Sequence, residues 1–185
     1  ILGIISTSIV AGVGNKIATD TQEANYKDFC KFQFIYVWIS SWATICMLCL
    51  YQPFMRLWMG EQMLLPMICV ILICIYFFIL KIGDINSVYY QAAGLWWEGR
   101  YRSLIEAGLN LVLNLTLGYY FGITGIIAAT IISIMYIWFY GSGIVYWKYF
   151  TNHKAREYYW QSLRYALITT AVAVLTYFLC NFIPT

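Results

Sequence analysis

The chain has 185 residues, 62% of them hydrophobic and only 10% charged, with a formal net charge of +3 and a mean hydropathy of +0.70. Soluble domains carry roughly 25% charged residues, so this composition excludes an ordinary soluble domain. It fits an all-α polytopic transmembrane helix bundle, and at about 20 residues per span the length allows about six spans.

The chain opens at Ile1, already inside an apolar run, with no signal peptide or lipidation motif in view. It reads as a piece of a longer protein whose amino-terminal part lies upstream. Residues 1–14 are the tail of a first span, with Gly3, Thr7 and Ala11 recurring at four as a small packing stripe. Residues 14–31 form the first aqueous stretch, with a short interfacial helix. The second span covers 32–52, and Gln52-Pro53 is expected to end it, because Pro removes a donor and disfavours helix just before it. Trp58 in the following turn suits an interface anchor.

The third span covers 63–84, with Pro66 in its first turn. From Pro66 the apolar residues stop at Leu80, giving roughly 22 Å of helix against a hydrocarbon core of about 30 Å. The helix therefore has to continue through Lys81 and Asp84, which lie three apart and can pair. Two readings stay open: Lys81 snorkels and Asp84 is wet, or both line a polar path at the inner boundary.

Residues 85–102 read as an aqueous, aromatic loop, and 103–121 as a fourth span. Along RSLIEAGLNLVLNLTLG a step of four passes through Arg102, Glu106, Asn110, Asn114 and Gly118. Residues four apart share one helix face. Lipid cannot solvate a carboxylate and two amides, so this face must meet protein or a water-filled cavity. Interhelical hydrogen bonding and substrate contact are both open for it. The fifth span, 123–146, follows a tight Gly-rich turn that predicts a hairpin with the fourth. Its Gly125, Ala129 and Ser133 recur at four, a face small enough for close helix packing. Residues 147–164 are a basic aqueous loop holding the single histidine, His153, read as exposed and without a role, and 165–183 is the sixth span.

No Gly-rich phosphate loop, metalloprotease motif or nucleophile elbow is present, and the acidic residues are scattered singly, so the chain does not read as an enzyme. Of the six cysteines, Cys46 and Cys49 make a C-x-x-C with no second pair and no nearby His, below the standard of a zinc site. Neither a metal nor a cofactor is expected.

The run SIVAGVGNKIAT from Ser8, then PFMRLWMGEQ, AAGLWWEGRYRSLIEAGLNLVLNLTLGYYFG and GITGIIAATIIS, resembles, in order, the later spans of bacterial polysaccharide flippases. These are the O-antigen (Wzx-like) family of the multidrug/oligosaccharidyl-lipid/polysaccharide exporter superfamily. The resemblance implies one lobe of a two-lobed, MATE-like transporter in the bacterial cytoplasmic membrane. Its substrate would be an undecaprenyl-diphosphate-linked oligosaccharide for cell-surface polysaccharide, moved by alternating access and coupled to a proton or sodium gradient. Implied partners are the bilayer, a polysaccharide polymerase and other assembly proteins, with no nucleic acid. Within this reading Lys81, Asp84, Arg102, Glu106, Asn110 and Asn114 mark the translocation pathway. A small-molecule multidrug-type antiporter and an integral-membrane glycosyl- or acyltransferase are the competing readings.

Charge sets the expected orientation. Lys and Arg fall as Lys16, Lys27 and Lys31; Arg56; Lys81, Arg100 and Arg102; none; then Lys148, Lys154, Arg156 and Arg164, so alternate loops hold 10 of the 11. The positive-inside rule puts loops 14–31, 85–102 and 147–164 in the cytoplasm and Thr185 outside. Cysteine-accessibility labelling on a Cys-depleted background should find 20–28 and 150–160 cytoplasmic and 56–61 and 119–122 outside. Labelling of 20–28 from the outer face overturns this orientation.

Overall fold

In an apolar solvent a backbone must satisfy its own polar groups, and a helix does so within one segment. The computed structural model describes residues 2–181, with side chains from 8 to 180, and among these the regular secondary structure is helix, with no strand. The helices are α1 (Leu2–Thr19), α2 (Gln22–Met59), α3 (Met67–Ala92), α4 (Arg102–Phe121), α5 (Ile123–Lys148) and α6 (Ala155–Asn181), with a 3-10 turn at Glu61–Met63. Gly3, Thr7 and Thr185, each given a place by the sequence pattern, lie outside the described side chains; Ala11 is exposed.

Four of these helices are long and apolar enough to cross a membrane: α2, α3, α5 and α6. At 20 residues, α4 has the length, about 30 Å, but its charged and amide residues hold its hydropathy down. Of the expected aqueous stretches, 14–31, 85–102 and 147–164, much is helical: α2 starts at Gln22, α3 runs on to Ala92 and α6 starts at Ala155. Thr21 caps α2, its hydroxyl accepting from Ala24 N at 3.3 Å.

The break expected at Gln52-Pro53 does not occur. The helix passes through Pro53 and stops at Gly60, whose φ of 83° takes the chain out of helix. Pro53 leaves only the Cys49 carbonyl without its helical donor, a small loss when every other arrangement strands more backbone in lipid. Gln52 Nε2 donates to Leu65 O at 2.8 Å and straps the connection to α3 back onto the helix.

α3 lies at the centre, against α1, α2 and α5; α4 packs on α5, and α6 leans mainly on α2. At the end of the bundle where α2 begins and α3 and α5 finish, the helices meet in an aromatic cluster organised on Phe29 of α2, which is fully buried. Its ring centroid lies 5.1 Å from that of Tyr89 on α3, 5.3 Å from Phe150 just beyond α5, and 5.8 Å from Tyr158 on α6. Edge-on and tilted rings at these distances are favourable beyond their area. The hydroxyls are satisfied: Tyr89 donates to Asn25 O at 3.1 Å, and Tyr158 accepts from Trp138 Nε1 at 2.8 Å.

The α4–α5 hairpin turns at Gly122, φ 60°. Behind it the small face of α5 meets α4. A Cβ on Gly125 would overlap the Leu117 carbonyl, and Ala129 and Ser133 are fully buried. Close backbone approach is what small residues permit between membrane helices.

Phe29→Ala should cost about 3–5 kcal/mol, the range for removing a buried aromatic side chain, read by reversible unfolding in detergent. A loss below about 1 kcal/mol would show that the cluster does not hold the four segments together.

Candidate functional site

A group of polar side chains meets where the C-terminal end of α3 faces the start of α4. Between them lies a pocket of about 200 Å³ lined by Ser87, Tyr90, Gln91, Arg100, Arg102 and Ser103. Helical phase explains it: Ser87 and Gln91 are one turn apart on α3, and Arg102 and Ser103 open α4. Between the helices the chain turns through 93–101, passing Gly94 at φ 67°. Gly99 lets Tyr90 Oη press against the backbone where a side chain would stand.

Both arginines are held by aromatic faces. The Arg100 guanidinium stacks over Trp97, 4.3 Å from the ring centroid, and donates to Trp97 O at 3.1 Å. Arg102 lies 5.0 Å over Tyr90. Cation–π contact fixes a guanidinium while leaving N–H donors free for an anion. Room for Arg102 comes from Gly141 of α5: a Cβ there would lie 2.7 Å from Arg102 Nη1 and 3.6 Å from Asn86 Nδ2. Asn86 is buried beside it, and its Oδ1 has no hydrogen-bond partner among the described residues.

From Arg102 the stripe runs outward along α4 on the side of α5. Glu106 is half-buried with no ion pair among the described residues. Asn110 Nδ2 donates to Ser133 Oγ at 3.3 Å, and Asn114 Nδ2 donates to Asn110 Oδ1 at 2.6 Å. Asn114 Oδ1 is a second buried acceptor without a donor among the described residues. The amides therefore bind α4 to α5 and each other, with acceptor capacity left over.

Lys81 and Asp84 pair as their spacing predicts: Lys81 Nζ to Asp84 Oδ2 is 2.7 Å, within one helix that runs on past both. Their side chains are 14% and 18% exposed, so the pair sits inside the bundle wall and not in bulk water. They do not line the Arg100–Arg102 pocket.

His153 is a correction to the sequence reading. Its side chain is only 19% exposed. The ring stacks on Tyr26 with centroids 3.4 Å apart, and Nε2 lies 3.0 Å from Glu23 Oε2. The loop after α5 is thus pinned to the start of α2. Nearby, Lys16 of α1 pairs with Asp28. The hydrogen bond from Lys16 holds the Asp28 carboxyl below the usual carboxylate range, and the same bond raises the ammonium.

Arg100, Ser87, Gln91 and Ser103 were not marked as site residues by the sequence. The available signal was the step of four from Ser87 to Gln91, invisible when 85–102 is read as loop. Neither a family model nor a curated protein nor a solved structure matches the chain.

Asp84→Asn should destabilise the protein by about 1–3 kcal/mol, between an exposed and a fully buried pair because both side chains are partly exposed, since it strands the Lys81 charge. The Lys81→Met, Asp84→Leu double variant should recover most of that loss. Thermal unfolding in detergent measures both, and an additive double variant would mean that the two side chains do not interact.

Proposed function

We propose that the chain forms part of a transporter that flips an undecaprenyl-diphosphate-linked oligosaccharide across the bacterial cytoplasmic membrane. The observation that carries this reading is the Arg100–Arg102 pocket. It combines two guanidinium groups, two serine hydroxyls and an amide at one membrane boundary. Guanidinium forks suit phosphate oxygens, and a diphosphate head group is the anionic part of such a substrate. The pocket opens at the cytoplasmic side in the orientation that the Lys and Arg distribution favours.

The stripe beyond it supports the same reading. Arg102, Glu106, Asn110 and Asn114 lead from the pocket toward the membrane centre, and Asn114 Oδ1 and Asn86 Oδ1 are buried acceptors with spare capacity. Sugar hydroxyls donate hydrogen bonds and fit such groups. The isoprenoid tail needs no protein path, since lipid solvates it. In this reading Glu106, with no ion pair among the described residues, is the group that would couple a proton or sodium gradient to movement. Lys81 and Asp84, already paired with each other, serve the wall of the path.

The test uses the full-length protein in producing cells. Arg100→Ala with Arg102→Ala should reduce export of surface polysaccharide at least about ten-fold, the loss of one to two charge-assisted hydrogen bonds, with membrane abundance unchanged. Asn110→Leu should likewise leave the protein inserted while lowering export. Normal export from the stable double arginine variant sinks the proposal. Abundance and export falling together would instead assign the residues to helix packing.

A further inference from the structure

On the far side of α5 from the α4 stripe, α3, α5 and α6 enclose a second cavity of about 380 Å³, within the range of small-molecule sites. Its wall is apolar: Phe78 and Ile82 from α3, Met135 and Phe139 from α5, Leu163 and Ala166 from α6. Among the described residues, Arg156 is the one charged residue in its lining. Arg156 is exposed and makes no ion pair among the described residues. The cavity opens sideways, since Phe139, Leu163 and Trp160 are 45%, 47% and 58% exposed along its edge.

Its depth in the bilayer follows from the helix contacts. α4 from Arg102 to Phe121 is about 30 Å long, the thickness of the hydrocarbon core, so Arg102 marks one boundary. Arg102 lies against Gly141 of α5, and Tyr159 of α6 donates to Phe139 O at 2.9 Å. Tyr159 is therefore at that same boundary, and Arg156, one turn earlier on α6, stands at head-group level. From Arg156 to Ala166 is ten residues, about 15 Å, or one leaflet. Trp160 at the rim is the residue type that favours this interface.

We infer that this groove is a binding site for an anionic glycerophospholipid of the cytoplasmic leaflet, with the head-group phosphate on Arg156 and one acyl chain along Phe78, Ile82, Phe139 and Leu163. An apolar slot one leaflet deep matches the chain, and an unpaired arginine at the phosphate plane matches the head group. A zwitterionic lipid offers the same chain but no net charge. The inference rests on the groove alone and is independent of what the α3–α4 pocket transports.

The test is native mass spectrometry of the full-length protein, delipidated in mild detergent and titrated with phosphatidylglycerol or with phosphatidylcholine of the same chains. One phosphatidylglycerol should bind in preference to phosphatidylcholine. Arg156→Ala should weaken it about five-fold, the effect of one basic residue near an anionic surface. Ala166→Phe should fill the slot and abolish it, while Lys27→Ala leaves it unchanged. Equal affinity for the two lipids, or full phosphatidylglycerol affinity in helical, folded Arg156→Ala, overturns the assignment. So does displacement of phosphatidylglycerol by equimolar undecaprenyl phosphate, which would give the groove to an isoprenoid tail.

Discussion

The structure depends on a contact between aromatic rings at one end of the helix bundle, where α2 begins and α3 and α5 finish. In lipid, burying an apolar side chain against another helix gains little, because the solvent left behind is equally apolar, so association rests on packing and on polar groups. Phe29 concentrates such packing: it touches rings from α3, from the end of α5 and from α6 at one point. Among the described residues the opposite halves of the same helices have no equivalent, and α6 exposes Leu167, Ile168, Leu175 and Phe178 there. The bundle is therefore held tightly at the end where the rings meet, which is also where most of its charged groups lie.

That end contains two arrangements with opposite character. Between α3 and α4 the lining is cationic and hydrogen-bonding; among α3, α5 and α6 it is apolar with one arginine at the rim. α5 separates them. It gives Gly141 and Ser133 to the polar side and Met135 and Phe139 to the apolar one. α4 packs mainly on α5 and contributes no residue to the aromatic cluster among the described residues.

The stripe on α4 joins these themes. A helix carrying Glu106, Asn110 and Asn114 cannot rotate freely in lipid, since lipid offers these groups no partner; the cost of about 2.5–3.5 kcal/mol for an acidic group at a span's centre is an upper bound for Glu106, one turn inside the helix start. The small face of α5 fixes the rotation by letting the backbones approach, and Ser133 supplies the acceptor. The amides thus serve packing in the structure itself, and Asn114 Oδ1 is left without a donor among the described residues.

Much was legible in the sequence because lipid imposes simple rules. The all-helical class, the α4–α5 hairpin, the small face of Gly125, Ala129 and Ser133 and the Lys81–Asp84 pair all follow from hydropathy, glycine placement and a step of three or four. These are local properties, and the chain alone fixes them. What it could not fix was non-local. Pro53 was overruled because the cost of breaking a helix depends on its surroundings. Ser87, Gln91, Arg100 and Arg102 form one pocket only because α3 runs on to Ala92 and the turn folds back. His153 is ordered by Tyr26 and Glu23, more than a hundred residues away. A linear pattern records which residues share a helix face. Which faces meet is decided by packing among helices whose apolar sides are nearly equivalent, and that information exists only in the tertiary structure.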